Sequence, residues 1–183
     1  MSIRKFHHMT IAGLERDLPI CPISDKLDIA GFVMLGDCEL VTACAKALND
    51  KLPPHDYLIA PEAKSIALIN EMARLNGEKK HFVARKGMKA YMTDPFVVTV
   101  NSITTAKTQT LYLDGRDAEM IKGKRMVIVD DVISTGESLN AVETLVEKAG
   151  GTVVGRVAVL AEGDAADRKD IIYLEKLPLF FKD

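Results

Sequence analysis

The chain has 183 residues, of which 48% are hydrophobic and 27% charged, and its formal net charge is −2. This size and composition predict a single folded domain over residues 1–183, without the basic excess of proteins that coat nucleic acid. No apolar run reaches the ~18 residues that would predict a membrane span. The three cysteines form no C-x-x-C pair and the first residues lack a signal-peptide pattern, so we expect a cytoplasmic protein without a disulfide framework.

Alternating strand-like and helix-like segments along the first half of the chain predict an α/β protein. Residues 32–35 form an apolar run between glycines, a buried-strand pattern, and Asp37 then occupies the N-cap position of a helix. Residues 57–60 predict a strand that leads into a helix from about Lys64, and residues 81–85 predict the next strand.

The middle of the chain predicts a pair of strands. Residues 96–100 and 110–113 are rich in β-branched and aromatic side chains. They are separated by the polar stretch Asn101–Gln109, which has no helical periodicity. Asp114-Gly115 has the composition of a turn.

The last third of the chain continues the alternation. Residues 126–129 have the composition of a central parallel strand. An amphipathic helix follows and ends at Gly150-Gly151, and residues 153–161 predict a further buried strand. We therefore expect an open, mostly parallel twisted sheet flanked by helices, with a core over about 31–183 and an N-terminal segment over about 1–30.

One segment, VIVDDVISTGES at residues 127–138, has the composition of a ligand site. An apolar strand ends in Asp130 and Asp131, and a tight loop of small and hydroxyl residues, Ser134–Ser138, leads into a helix. Backbone N–H groups in such a loop and the helix N-terminus attract anions, and Gly136 permits an unusual φ. Carboxylates beside an anion site suit sugar hydroxyls or a divalent cation. A sugar phosphate satisfies both halves of the segment.

This segment resembles the phosphoribosyl-pyrophosphate signature of the type I phosphoribosyltransferases, and the whole chain is most similar to the adenine-type members. Glu137 departs from the adenine pattern, which tends to have glycine there. The resemblance implies the type I fold with a small hood and a mobile β-loop, and it implies a homodimer. It assigns the 5′-phosphate to a loop of five residues, Ser134, Thr135, Gly136, Glu137 and Ser138.

The resemblance extends to the rest of the site. A short pyrophosphate loop is implied after the 57–60 strand, and a basic run after the 81–85 strand. The implied pyrophosphate-binding residues are Ala63, Lys64, Ser65, Arg85, Lys86 and Lys89. The stretch Asn101–Gln109, with Lys107 as a catalytic candidate, is similar in position to the family's mobile catalytic loop.

The resemblance implies a reaction in which a nitrogenous base displaces pyrophosphate from phosphoribosyl pyrophosphate with the help of Mg²⁺. Asp130 and Asp131 would then bind the ribose hydroxyls, directly or through Mg²⁺-bound water, and favour the cationic transition state. Val132 and Ile133 would offer an apolar face to the base. Adenine is the favoured base, and the partners are small molecules rather than nucleic acid or membrane.

Several alternatives stay open from the sequence. Xanthine, hypoxanthine, guanine or orotate are other acceptor bases, and the irregular, proline-containing segment Asp17–Asp28 is the candidate hood that would select among them. A regulator that senses phosphoribosyl pyrophosphate without catalysis is the alternative from another class. Lys64 and the run 85–89 also fit a structural reading as solvated surface charges.

Overall fold

The computed structural model describes residues 5–101 and 108–182. The candidate Lys107 and most of the predicted catalytic loop therefore lie outside the described residues. The strands are β1 (Phe6–Ile11), β2 (Leu14–Ser24), β3 (Leu27–Ala30), β4 (Tyr57–Pro61), β5 (Phe82–Ala84), β6 (Phe96–Asn101), β7 (Thr108–Leu113), β8 (Arg125–Ile133), β9 (Thr152–Glu162), β10 (Ile172–Leu177) and β11 (Leu179–Phe181). The helices are α1 (Cys38–Asn49), α2 (Ile66–Leu75), α3 (Gly115–Ile121) and α4 (Glu137–Lys148). Among the helices of the described residues, none has both the length and the apolar character that a membrane crossing requires.

The central sheet is parallel, in the order β10-β9-β8-β4-β5. This confirms the predicted α/β architecture. Strand β8 lies in the middle, between β9 and β4, and its residues are almost all buried. Because the carboxyl ends of parallel strands share one edge of a sheet, the loops after β4, β8 and β9 meet at that edge.

Two smaller sheets flank the central one. Strands β1, β2, β3 and β11 form an antiparallel sheet in that order, which we call the N-terminal sheet. Strands β6 and β7 pair antiparallel, as the sequence predicts, and an isolated bridge between Arg85 and Tyr112 connects this pair to the end of β5. The pair thereby lies beside the edge of the central sheet where its loops meet.

The core consists of two apolar clusters, one on each face of the central sheet. The first cluster packs α1 and α2 against the sheet and includes Ile11 and Leu18 of the N-terminal sheet. The second packs α4 and the β6–β7 pair against the other face. Helices α1 and α4 each bury one stripe of side chains, which is the pattern that the sequence predicts.

The local signals that predicted α1 are confirmed. The Asp37 side chain caps the helix by accepting a hydrogen bond from the Leu40 N–H at 3.0 Å. Arg16 of β2 donates to both oxygens of the same carboxylate, at 2.7 and 3.1 Å, and to Glu39 at 2.8 Å. One carboxylate thus caps a core helix and attaches the N-terminal sheet to it.

The predicted strand over residues 32–35 is wrong. This segment has no regular secondary structure and enters a turn at Leu35; Phe32 and Met34 are buried, Val33 and Leu35 are exposed, and no strand partner is present among the described residues. It crosses from the N-terminal sheet to α1. Alternating burial arises here because the two sides of the segment face core and solvent, without a ladder of hydrogen bonds.

Two further expectations are corrected. Asp114-Gly115 is the start of α3, since the Asp114 side chain accepts the Arg116 N–H at 3.0 Å as an N-cap. The segment Asp17–Asp28 is not irregular but forms most of β2 and the first half of β3. Its Pro22 lies at a register shift between these strands, and a bulge of this kind tolerates a residue without an N–H.

Candidate active site

The site begins near the end of β8, where Asp130 and Asp131 are 7% and 3% exposed. Ser65, just before α2, donates its hydroxyl to Asp130 Oδ1 at 2.7 Å, and the Asp131 N–H donates to the same oxygen at 2.8 Å. Burial raises the pKa of the Asp130 carboxyl to about 7; the Ser65 hydroxyl opposes the rise and the neighbouring Asp131 charge adds to it. The Ser65 hydroxyl thus holds the Asp130 side chain in place. The sequence analysis had assigned Ser65 to pyrophosphate binding.

Asp131 forms an ion pair with Lys64. Lys64 Nζ lies 2.5 Å from Asp131 Oδ2, and the lysine side chain is half exposed. The same oxygen accepts no hydrogen bond of good geometry among the described residues, so the contact is ionic rather than directional. A ligand hydroxyl or a cation can therefore take the place of the ammonium group without leaving a buried donor unpaired.

The loop Ser134–Ser138 surrounds a cavity of about 130 Å³. Gly136 has φ +80° and is the N-cap of α4, a conformation that favours glycine. Among the described residues, none provides an acceptor for the backbone N–H groups of Thr135, Gly136 or Ser138. The cavity is lined by Gln109, Asp130, Val132, Ile133, Ser134, Thr135, Gly136, Glu137, Ser138 and Leu139. Free amides at a helix start make this a suitable anion pocket.

A second cavity of about 150 Å³ adjoins the first. It is lined by Pro61, Glu62, Ala63, Lys64, Ser65, Lys86, Asp130, Asp131, Val132 and Ser138. The two cavities share Asp130, Val132 and Ser138. The aspartate pair thus lies between an amide-rich pocket on one side and a pocket with two lysines on the other.

Glu62, which lines the second cavity, contacts the basic run 85–89. Its carboxylate accepts the Lys86 N–H at 2.9 Å, and it lies 3.1 Å from Arg85 Nη2 and 3.8 Å from Lys89 Nζ. The Lys86 N–H, followed by the two cations, lowers the pKa of Glu62, so this side chain stays ionised at neutral pH. The predicted basic run therefore converges on the loop after β4, held by a carboxylate that the sequence analysis did not single out.

The two candidate base-facing residues differ in environment. Val132 is half-buried and lines both cavities. Ile133 lines the first cavity but is only 2% exposed and packs in the α4 cluster. Since successive strand residues point to opposite faces, Val132 is the better placed of the two to meet a ligand.

Comparison with known proteins shows which family has this site. A model of the phosphoribosyl transferase domain matches residues 39–178. The chain belongs to this family. HGPRTase-like protein 3 of Haloterrigena turkmenica is 37% identical over 171 residues, covering 88% of this chain and 87% of its own. The hypoxanthine/guanine phosphoribosyltransferase of Methanococcus voltae is 34% identical and covers 81% and 73%. The adenine phosphoribosyltransferase of Kosmotoga olearia is 29% identical and covers 89% and 94%.

Solved structures share the fold of this phosphoribosyltransferase. The adenine phosphoribosyltransferase of Thermoanaerobacter pseudethanolicus superposes with a TM-score of 0.65 at 22% identity, covering 94% of this chain and 95% of that one. The Saccharomyces cerevisiae adenine phosphoribosyltransferase, solved with adenine, gives 0.59 at 17% identity and covers 93% and 92%. The type I phosphoribosyltransferase fold expected from the sequence is confirmed, and the chain is an enzyme of that family.

Three residues at the phosphoribosyltransferase site escaped the sequence analysis as individual candidates. Glu62 organises the cations, Gln109 of β7 lines the first cavity, and Arg168, after β9, reaches Gly136. Glu62 adjoins the predicted pyrophosphate loop. Its negative charge close to several basic residues is the sequence signal that could have identified it. Gln109 is the last residue of the predicted catalytic loop, whereas Arg168 comes to the site only through the fold, so no local pattern distinguishes it.

Proposed function

We propose that this phosphoribosyltransferase transfers the phosphoribosyl group of phosphoribosyl pyrophosphate to a purine base, releasing pyrophosphate. The observation that carries the proposal is the pair of adjoining cavities that share Asp130 between free loop amides and a basic loop. A donor with phosphate at one end, ribose in the middle and pyrophosphate at the other end matches this order of groups.

At the phosphate end, the N–H groups and hydroxyls of Ser134, Thr135 and Ser138 would hold the 5′-phosphate. The α4 N-terminus adds partial positive charge at the same place. Gly136 and Glu137 would contribute through the backbone, whose course at the start of α4 depends on the positive φ of Gly136. This arrangement supports the assignment of the whole loop Ser134–Ser138.

At the pyrophosphate end, Lys64, Arg85, Lys86 and Lys89 would neutralise the leaving group, with the backbone of Ala63 and Ser65 completing the loop. Arg85 Nε is buried and has no hydrogen-bond partner among the described residues. Such a donor is costly to leave unpaired, and a bound anion would satisfy it. Pyrophosphate would thus take over cations that Glu62 holds in the free protein.

Between the two ends, Asp130 and Asp131 would accept hydrogen bonds from the ribose hydroxyls and stabilise positive charge at the ribose carbon. Their carboxylate oxygens also fit Mg²⁺, which prefers oxygen ligands and binds through one or two carboxylates together with substrate phosphates. We assign the metal to these two residues, acting directly or through water. Mg²⁺ supplies positive charge to the departing pyrophosphate.

The loop after β6 is proposed to close over the ribose and exclude water, with Lys107 reaching the pyrophosphate. Val132 and Ile133 would provide the apolar surface for the base. Exclusion of water is needed because water competes with the base for the ribose carbon.

Adenine remains the base predicted from the sequence. The second candidate is hypoxanthine or guanine, favoured by the relatives at 37% and 34% identity, whose names carry hypoxanthine and guanine. Both candidates are purines, so the reaction class is unaffected by the choice.

A homodimer is part of the proposal. Met88 and Tyr91 are 65% and 66% exposed and follow directly on Arg85 and Lys86. Burial of these side chains against a second copy would remove apolar surface from water and bring each subunit's basic run close to the interface. Sedimentation equilibrium measures the assembly, and a monomer at all concentrations would contradict this part.

The test is a direct assay. The protein is incubated with Mg²⁺, phosphoribosyl pyrophosphate and one base at a time, and pyrophosphate release is followed. We expect release with a purine and the formation of the matching nucleoside monophosphate. Binding of phosphoribosyl pyrophosphate without release for any base would instead support the non-catalytic sensor, and release with orotate alone would overturn the purine assignment.

A further inference from the structure

Arg168 lies against the phosphate loop from outside the cavity. It follows the 3-10 helix Gly163–Asp167 at the end of β9. Its Nη1 is 2.8 Å from the point where a Cβ on Gly136 would stand. Its Nε and Nη2 donate to Asp170 at 2.9 and 2.6 Å. One edge of the guanidinium is therefore fixed by a carboxylate, while the remaining nitrogen meets the loop backbone.

The cavity inside the loop has an unfavourable charge for a phosphate. Its described lining contains two carboxylates, Asp130 and Glu137, and no lysine or arginine. The N-terminus of a helix supplies roughly half a positive charge, which is less than the charge of a phosphate dianion. A full positive charge close to the loop would add to this partial charge.

We propose that Arg168 is a positioning residue for the 5′-phosphate, whose charge adds to that of the α4 N-terminus and whose Nη1, beside Gly136, supports the loop. This inference rests on the function proposed above. Arg168 acts through the loop, since it is not among the described residues that line the cavity. Any Cβ at position 136 would lie within 3 Å of its Nη1 and would require the arginine to move, in addition to the strain of the positive φ.

Asp170 moderates this charge. The two hydrogen bonds from Arg168 lower the pKa of Asp170 to about 2, so the aspartate is ionised throughout the neutral range. The loop therefore experiences a guanidinium that is partly neutralised. Removal of the Asp170 charge should leave Arg168 with more net charge for the phosphate.

The test uses two probes that share only the sugar phosphate end. Ribose 5-phosphate and phosphoribosyl pyrophosphate with Mg²⁺ are titrated calorimetrically into the wild type, Arg168→Ala and Arg168→Lys. We expect Arg168→Ala to weaken both probes by about tenfold, the range of a charge-assisted contact, with most of the loss recovered in Arg168→Lys. The matched control is Lys169→Ala, which removes an exposed charge at the next position and should leave both affinities within twofold.

A second variant separates charge from structure. Asp170→Asn should tighten both probes severalfold at low ionic strength, and added salt should reduce the gain. If the Arg168–Asp170 pair only braced the fold, Asp170→Asn would weaken binding instead, and that sign would overturn the inference.

The outcomes also separate this inference from the proposed function. A wild type that binds neither probe contradicts the proposed function itself. If the wild type binds both probes and the affinity of Arg168→Ala for ribose 5-phosphate is within twofold of the wild-type affinity, only the role of Arg168 is contradicted. A loss confined to phosphoribosyl pyrophosphate would place Arg168 at the pyrophosphate end and equally overturn the assignment.

Discussion

At the scale of single residues, the site buries the Asp130 carboxyl group, and this burial makes its charged form unfavourable. Asp130 is 7% exposed, and this burial raises its pKa to about 7. In the unfolded chain the same group titrates near its ordinary value of 3.8. Between these two pH values the unfolded state has released the proton while the native state still holds it. The stability of the protein therefore falls as the pH rises through this window.

Asp130→Asn tests this cost. The asparagine keeps an oxygen to accept the Ser65 hydroxyl and carries no charge. We expect the free energy of unfolding of the variant to exceed that of the wild type at about pH 8, by a few kcal/mol at most, with a correspondingly higher melting temperature, and both differences to vanish towards about pH 4. Thermal unfolding at the two pH values measures the difference, and a gap that does not grow with pH would contradict the assignment.

The matched control for that experiment is Glu71→Gln. Glu71 is a carboxylate of α2 whose pKa is lowered by its hydrogen bonds with Arg74. A lowered pKa contributes stability above the unfolded value. This variant should therefore be equal to the wild type or less stable at about pH 8, the opposite sign to Asp130→Asn.

Asp131→Asn should separate activity from stability. The carboxylate is proposed to stabilise the cationic ribose, so its loss should lower kcat by about a hundredfold or more. The melting temperature should change little, because the partner Lys64 is half exposed and can turn to solvent. Steady-state pyrophosphate release gives kcat, and a decrease of only a fewfold would exclude the assigned role. Asp56→Asn, which removes a carboxylate paired with Arg125 outside the site, should retain wild-type kcat.

At the scale of elements, the phosphate loop depends on one backbone conformation. Gly136 has φ +80° and a Cβ there would also meet Arg168. Gly136→Val should therefore abolish detectable binding of phosphoribosyl pyrophosphate in calorimetry. Gly77→Val is the control, since Gly77 has φ +71° at the end of α2 with open space around it. It imposes similar strain away from the site and should lower stability while leaving the affinity unchanged.

The elements that the sequence predicted correctly carry local signals. Strand β8, the loop Ser134–Ser138 and α4 are contiguous, and their apolar run, glycine and helical stripe each act over a few residues. The same holds for the Asp37 cap. The geometry of the aspartate pair could also be anticipated, because it depends on the end of one strand. The contacts of Ser65 and Glu62 could not, since they join residues far apart in the chain.

The missed elements lacked such local signals. Strand β2 contains Pro19 and Pro22, which ordinarily argue against a central strand, and its pairing with β3 accommodates Pro22 at a register shift. Helix α3 has only seven residues, too few to show a periodicity. The run 32–35 has the composition of a strand but no partner among the described residues. The presence or absence of a strand partner decided β2 and the run 32–35, whereas α3 was missed because it is short.

At the scale of the whole molecule, the N-terminal sheet is attached to the core through Arg16. Arg16→Ala removes its hydrogen bonds to Asp37 and Glu39. We expect faster amide hydrogen exchange in β1, β2 and β3, with unchanged protection in the central sheet. The control is Arg74→Ala, which breaks an ion pair with Glu71 within a single helix and should leave exchange in the N-terminal sheet unaltered. Uniformly faster exchange throughout would contradict a specific attachment.

Strand β11 completes the N-terminal sheet by pairing Leu179–Phe181 with Leu27–Ile29. All strands of the parallel sheet lie between these two segments in the chain. The β3–β11 pairing therefore joins regions near opposite ends of the described sequence. A pairing between distant segments must bear the entropy of loop closure before its own contacts stabilise it. We therefore expect the parallel sheet to form first, and β11 to pair with β3 once the folded core holds the two segments side by side.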